Sequence, residues 1–542
     1  MTVRCRTGSA NQFFVVIFAA VVLVALLSLL LSGLGRRPGI GEAVDASGDA
    51  PANAAATDDL VVYCAAGLRP VVEKVAADYQ DEYGVGVQLQ YGGSNTLLNQ
   101  IAVAKTGDVY IAGDESYTAR AHNDGLVAET MSLAEMRPVV VVRKGNPLGI
   151  KSVDDLTRDD VVVALGSPDQ TAVGRLTRDL LRESGRWDAV ERHVTDNGVF
   201  KPTVADVAND VKLGIAGAGI VWDTTLTLYD DLEAVPLPEL APGKVDVTLG
   251  VLTASRRPTD ALRFARYLSA ADRGLKRFAA AGYQTVDGDD WEETPELTFY
   301  CGSVNRRAVE DVIKQFEERE GVVVNTVYNG CGILTAQMRT INEQQQGSGF
   351  PDTYMACDRY YLESVKDWFQ DDVDVSDTSV VIAVPKGNPA GIKSLADLTK
   401  PGVRVSVGQP DQCTIGVLTR QLLESEGVYD AVMANVVTQT ASSAMLIPTV
   451  TTDSVDATLA YATDTLAESD RVDVIRLESD AAKAVQPFAL ARSSRHKQLG
   501  SRLYDAIAAS GDAFRTAGFH FRLDVPLAGS AAAVSHTTAD EK

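Results

Sequence analysis

Apolar and polar positions in this chain follow one repeating order: a short apolar run, then a longer amphipathic stretch. Residues 60–63 form an apolar run that ends in the small residues Cys64, Ala65, Ala66 and Gly67. Val71, Val72, Val75, Ala76 and Tyr79 then recur on one face of a 3.6-residue period, which predicts a helix. Residues 85–91 alternate with the two-residue period of a strand and end at Gly92, Gly93, Ser94 and Asn95. A second helical stretch leads to the apolar run 108–112, closed by Gly113 and Asp114. Farther on, residues 138–143, 161–165, 218–222 and 245–253 read as strands, and 258–268 as a helix. Ser152 reads as a helix N-cap, with Asp155 at the third position. Residues 166–171 lead into a helix that continues through Thr177 and Leu181. Strands and helices alternating through short loops predict an α/β fold with a mostly parallel sheet. In such sheets ligands bind beyond the carboxyl ends of the strands, where the Gly and Ser clusters lie here. The order of the elements predicts two α/β lobes with more than one chain crossing between them, hence a hinged cleft.

The pattern occurs twice. LVVYCAAGLRPVVEKVAADYQDEYGVGVQLQYGGSNTLL, from Leu60, is echoed by LTFYCGSVNRRAVEDVIKQFEEREGVVVNTVYNGCGILT, from Leu297. Lys144-Gly-Asn-Pro147 recurs as Lys386-Gly-Asn-Pro389, an offset of 386 − 144 = 242, and Pro168-Asp-Gln170 recurs at the same offset as Pro410-Asp-Gln412. The expected units span residues 59–290 and 296–525. A period of this length is too long for a solenoid, so each unit should carry its own core.

The chain has 542 residues, 45% hydrophobic and 23% charged, a composition that suits folded domains. Its formal net charge of −23 excludes a general affinity for nucleic acid and disfavours docking on anionic lipid. It leaves room for a small anion held by backbone N–H groups and helix N-termini. Residues 13–32 carry no charge, and at ~1.5 Å per residue they make a helix long enough to cross a bilayer. A transmembrane anchor is therefore expected over 13–34, after a short cytoplasmic segment at 1–12, with the bulk of the chain outside the cytoplasmic membrane. The alternative is a cleaved signal peptide, although the apolar run exceeds the usual h-region and no clear cleavage site follows it. Residues 35–58 read as a flexible linker, and 526–542 as a disordered tail.

Five segments, taken in order, carry a resemblance. They are the strand ending in Tyr63-Cys-Ala-Ala-Gly-Leu68, the Tyr91-Gly-Gly-Ser94 turn, the Gly107-Asp-Val-Tyr-Ile-Ala-Gly-Asp114 strand, the helix start from Gly166 to Gly174, and the Ala218-Gly-Ile-Val-Trp222 strand. With them the first unit resembles the periplasmic molybdate-binding proteins of ABC importers, which have the type II solute-binding fold. The second unit resembles them mainly through its likeness to the first. The resemblance implies two tandem type II units, a small tetrahedral oxyanion as ligand, an ABC permease supplied in trans, and no cofactor. In that family hydroxyls and backbone N–H groups hold the anion without a counter-charge. Carried onto this sequence, the first-strand hydroxyl falls on Gly67, which has none, and the turn hydroxyl on Ser94. The second-lobe helix start falls on Ala172 and Val173, and the closing Tyr on Trp222. In the second unit the candidates are Ser303, Cys331, Thr414 and Tyr461. Without the resemblance, Ser94 reads as a turn residue capping the following helix, and Trp222 as core. Sulfate, phosphate or a metal ion stay open as ligands, and a membrane-anchored sensor or interaction module stays open as a role.

The second unit carries Cys301, Cys331, Cys357 and Cys413, which align with Cys64, Ser94, Gly113 and Thr171. All four fall at strand ends or helix starts that should face the cleft. Disulfides, a soft-metal thiolate site and buried free thiols are the open readings. A bond within the first lobe, for example Cys301 to Cys331, is favoured over one reaching Cys413 across the cleft, because adjacent strand ends readily meet the distance limit. An enzyme is not expected. The five histidines form no recognisable motif, and there is no P-loop, G-x-S-x-G or H-E-x-x-H. Asp114 and Asp358 end corresponding strands and read as helix caps.

Overall fold

The computed structural model describes residues 59–344 and 349–523, which fall in one unit, Thr57–Lys542. The expected anchor at 13–34, its flanks at 1–12 and 35–58, and the tail at 526–542 lie outside the described residues. Among the described residues, no helix is long and apolar enough to cross a membrane.

In the first repeat, β1 (Leu60–Ala65) runs parallel to β2 (Val87–Gly92) on one side and β3 (Val109–Ala112) on the other. The helix Arg69–Tyr83 buries Val71, Val72, Val75, Ala76 and Tyr79, the positions that recur at helical spacing. The sheet is mixed rather than mostly parallel. β10 (Val245–Leu252) pairs antiparallel with both β3 and β4 (Val127–Met136), and β11 (Gln284–Thr285) extends the edge, giving the order β11-β4-β10-β3-β1-β2. Periodicity does not reveal β4, because Glu129, Thr130, Ser132 and Glu135 interrupt its apolar positions. The second lobe is a sheet of order β7-β6-β8-β5-β9. Its strands are β5 (Pro138–Arg143), β6 (Val163–Gly166), β7 (Val199–Lys201), β8 (Ala218–Trp222) and β9 (Leu232–Val235). The chain crosses between lobes after Met136 and again between β9 and β10.

The second repeat runs through β12 (Glu296–Gly302), β13 (Val323–Asn329) and β14 (Thr353–Met355) into β15 (Phe369–Pro385), a strand of 17 residues that does the work of β4 and β5 together. Pro138 pairs with Trp222 at the start of β5, and at the matching place Val380 pairs with Tyr461. Proline has no N–H to give to a ladder, so the strand breaks at Pro138, whereas valine lets it run on. β15 therefore joins both lobes into one sheet, β13-β12-β14-β20-β15-β18-β16-β17, with β19 (Val472–Arg476) and β21 (His520–Phe521) also on β15. The remaining strands are β16 (Val405–Gly408), β17 (Val436–Thr440), β18 (Ala457–Tyr461) and β20 (Lys483–Ala491). Each repeat has its own apolar core, one built from residues between Leu60 and Tyr283, the other from residues between Leu297 and Phe521.

A buried ionic cluster joins the repeats. Glu320, at the end of the helix Arg306–Glu320, accepts from Arg502 Nε at 2.7 Å and from Arg266 Nη1 at 3.1 Å. Arg266 belongs to the first repeat, and it also donates to the Glu320 carbonyl. The Glu320 side chain is 1% exposed and each arginine 8%. Arg319 adds a two-point contact to Glu129, at 2.8 and 3.0 Å. Asp289 accepts the backbone N–H groups of Gln498 and Leu499, both at 2.9 Å, and so anchors the start of the helix Lys497–Ala508. Burial alone would raise the Glu320 carboxyl, but Arg502 and Arg266 outweigh it and hold the group below its ordinary value of 4.5.

Glu320→Leu leaves two buried guanidinium groups unpaired and is expected to lower the unfolding free energy by about 3–5 kcal/mol in urea titration. Because the folded carboxyl is depressed, its contribution is fully present above its ordinary value and is lost as pH falls through the lower folded value. The difference between wild type and Glu320→Leu should therefore shrink in acid. A constant difference down to the acid transition would show that the charge is not what stabilises the joint.

Candidate functional site

Where a strand hands over to a helix, the first N–H groups of that helix have no partner within it and carry the positive end of its dipole. In the first repeat four such starts meet: the single turn Ala66–Leu68 and the helices Ser94–Ala104, Ala172–Glu183 and Val204–Leu213. They surround a cavity of about 30 Å³ between the lobes, room for a pair of waters or one compact ion. Gly67, Ser94, Ala172, Val173 and Trp222 all line it, together with Gly113 and Thr171, and its wall contains no charged side chain.

Ser94 does not cap its own helix. Gly93 is the N-cap, with no side-chain bond. The Ser94 hydroxyl instead accepts from the Gly113 N–H at 3.2 Å, which leaves its hydrogen to donate. The Ser94 carbonyl accepts from the Tyr110 hydroxyl at 2.8 Å, which fixes the turn. Thr171 caps the second-lobe helix by accepting from the Gly174 N–H at 3.0 Å. The N–H groups of Ala172 and Val173, ahead of Gly174, belong to the unpartnered first turn. Gly67 permits close approach of the lobes, since a Cβ there would stand 2.8 Å from Val204 Cγ1. Trp222 ends β8 and is 4% exposed, serving both the core and the cavity wall.

The cleft is shut by contacts that the sequence does not announce. Arg175, on the second-lobe helix, pairs with Asp114 of the first lobe, donates to Ser116 Oγ at 2.7 Å, and lies 5.3 Å from the centre of the Tyr117 ring. Asn95 Nδ2 reaches across to the Asp169 carbonyl at 2.7 Å. Asp114 also caps its helix through the Ser116 N–H, as Asp358 does through the Tyr360 N–H. Burial would lower the Arg175 guanidinium, but the Asp114 carboxylate outweighs it and raises the group above its ordinary value.

In the second repeat Ser303 opens the turn Ser303–Asn305, Cys331 begins the helix Cys331–Glu343, Thr414 begins Thr414–Ser425, and Tyr461 ends β18. Cys331 is bonded to Cys357, with Cα atoms 6.3 Å apart. The pairing thus differs from the Cys301–Cys331 example. Side chains alternate along a strand, and a Cβ on Gly302 would stand 2.3 Å from Cys357 Sγ, so Cys301, one residue earlier on β12, faces the other way. Cys301, Cys413 and Cys64 are free and buried. With two of the four sulfurs bonded to each other, a thiolate metal site in this unit lacks ligands, and no group of three metal-binding side chains occurs among the described residues. The Cys357 N–H donates to Cys331 Sγ at 3.0 Å, as the Gly113 N–H donates to Ser94.

A family model described as bacterial extracellular solute-binding protein matches residues 60–284 and again 297–520. Molybdate-binding protein ModA of Mycobacterium bovis is 30% identical over 217 residues, covering 39% of this chain and 79% of that protein. Molybdate-binding protein ModA of Escherichia coli is 25% identical over 208 residues, covering 37% and 79%. Among solved structures, the periplasmic molybdate-binding protein of Azotobacter vinelandii is 16% identical with a TM-score of 0.37, covering 42% of this chain and 100% of its own.

Burial pushes the Cys64 and Cys301 thiols far up and raises Cys413 to about 11. Alkylation of the native protein at pH 8 is therefore expected to spare all three, and unfolding to expose them. Peptide mapping without reductant should recover Cys331 joined to Cys357. A peptide joining Cys413 to any other cysteine would contradict this arrangement.

Proposed function

The chain belongs to the bacterial extracellular solute-binding protein family, and we propose that its first repeat captures a tetrahedral oxyanion of the molybdate and tungstate kind for a separate ABC permease. The observation that carries this reading is the make-up of the cavity. Several helix starts offer N–H groups to one point, the Ser94 hydroxyl keeps a free hydrogen, and no charged side chain lines the wall. A dianion without protons is satisfied by donors alone, and helix dipoles stabilise it without a cation. The 30% identity to a molybdate-binding protein supports the same ligand class. The closed cleft, latched by Arg175 on Asp114, is the form such a protein takes around its ligand. On this reading the apolar stretch at 13–32 tethers the protein outside the cytoplasmic membrane.

Calorimetric titration of the full chain with molybdate, tungstate and sulfate tests the proposal. Molybdate and tungstate are expected to bind, and Ser94→Ala to weaken both by about 1.5–3 kcal/mol, the range for a hydrogen bond to a charged partner. Unchanged affinity in Ser94→Ala with an intact fold would remove Ser94 from the site. No binding by the wild type would remove the ligand class.

Arg175→Met deletes the cross-cleft ion pair. It is expected to weaken molybdate binding while leaving Ser94 and the cavity wall in place, and small-angle scattering should report a wider ligand-free molecule. An unchanged profile and affinity would show that the latch does not control closure.

A further inference from the structure

In the second repeat, several buried polar atoms lack a partner, and some of them fall at positions matching the cavity wall of the first repeat. Thr378 Oγ1 and Asp464 Oδ2 have no hydrogen-bond partner, and Thr414 Oγ1 and the Tyr461 hydroxyl face each other but find no further one. Thr378, Thr414 and Tyr461 are 5%, 1% and 1% exposed. Their places are those of the cavity wall in the first repeat. Thr414 follows its N-cap as Ala172 does, Tyr461 ends β18 as Trp222 ends β8, and Thr378 precedes Val380 by two residues as Met136 precedes Pro138. A wall of Ala172, Trp222 and Met136 has thus become one of hydroxyls.

Asp464 adds an acceptor. It follows Tyr461 by three residues, where the first repeat has Thr225 three residues after Trp222. Burial, the largest influence, pushes its carboxyl up to about 6, against the opposing pull of the Ser443 hydroxyl and Arg307. A buried polar group left unpaired is destabilising, and native proteins tolerate few. Hydroxyls can donate to an anion, whereas a carboxylate only accepts. A ligand that satisfies this set must accept several hydrogen bonds and donate one.

We propose that the second repeat binds a small oxyanion that still carries a proton, hydrogenphosphate or hydrogenarsenate, between Thr414, Tyr461 and Asp464. The start of the twelve-residue helix Thr414–Ser425 supplies N–H groups for the charge. The Thr414 and Tyr461 hydroxyls donate to the oxygens without protons, and Asp464 accepts from the P–OH or As–OH group. A fully ionised dianion would set a lone pair against the Asp464 carboxylate, which rejects it. The first repeat, with donors and no carboxylate, has the opposite preference, so the two repeats divide oxyanions by protonation state. The Cys331–Cys357 bond fixes the facing wall of the cleft.

Titration of the full chain with inorganic phosphate and with arsenate, before and after saturation with molybdate, tests this independently of the reading for the first repeat. One phosphate per chain is expected to bind whether or not molybdate is present. Tyr461→Phe and Asp464→Asn should each weaken phosphate about tenfold or more and leave molybdate binding unchanged, while Ser94→Ala does the reverse. Asp464→Asn should also admit sulfate. The proposal is overturned if neither phosphate nor arsenate binds, if molybdate or Ser94→Ala abolishes their binding, or if binding survives unchanged in Tyr461→Phe, the variant that keeps the buried carboxylate and every backbone contact. Loss of molybdate binding with phosphate binding intact would count against the first-repeat reading alone.

Discussion

Unpaired N–H groups at the starts of helices are the constraint around which each repeat is arranged. A parallel strand delivers its helix at the carboxyl edge of the sheet, so every such helix leaves its first donors on the same side. Two lobes facing each other across that edge bring four sets together, and the first repeat joins them around Gly67, Ser94, Ala172 and Val204. The small residues follow from this convergence. A Cβ on Gly93 would stand 2.2 Å from the Gln170 carbonyl, so only glycine lets that turn meet the other lobe. The fold thus produces a region rich in hydrogen-bond donors without any cationic side chain in its wall, within a chain of net charge −23.

Much of the scaffold was legible because the signal is local. The face of Arg69–Tyr83 and the full extents of Pro138–Arg143 and Ala218–Trp222 follow from periodicity and from where small residues fall. The strand β4 was not legible, since its pairing with β10 overrides a polar, irregular pattern. Strand-end order placed the Gly and Ser clusters at the carboxyl edge of the sheet, whereas the choice of Gly67, Ser94, Ala172, Val173 and Trp222, which line one cavity, came from the resemblance to molybdate-binding proteins. The groups that shut the cleft were not legible. Arg175 looks like any charged residue on an amphipathic helix, and its partner Asp114 is 61 residues away. Glu320 was hidden similarly, in a run of charged residues that reads as a solvated helix end until Arg266 and Arg502 close over it. Cysteine identity marked the cleft of the second repeat, but the choice of Cys357 over Cys301 depends on which face of β12 each side chain takes.

Joining two copies frees one of them to change. Both repeats keep the order of their elements and a core of their own, so substitutions at the cleft need not endanger the fold. The second repeat shows the result, with Ser94 and Gly113 replaced by a bonded pair of cysteines, and Trp222 by Tyr461. The ionic joint at Glu320 contacts neither cleft, so divergence at one site can proceed without disturbing the contact that holds the copies together.

The difference between Pro138 and Val380 is mechanical as well as topological. In the first repeat the connection between lobes is interrupted at Pro138, so bending concentrates in a few backbone torsions. In the second repeat β15 runs through the crossing as one strand of 17 residues, irregular in register between Gln370 and Ser376 but paired from there to Pro385 with β18, β19, β20 and β21. A strand so paired resists flexing by spreading strain over many bonds. The two clefts are therefore springs of unequal stiffness mounted on one frame.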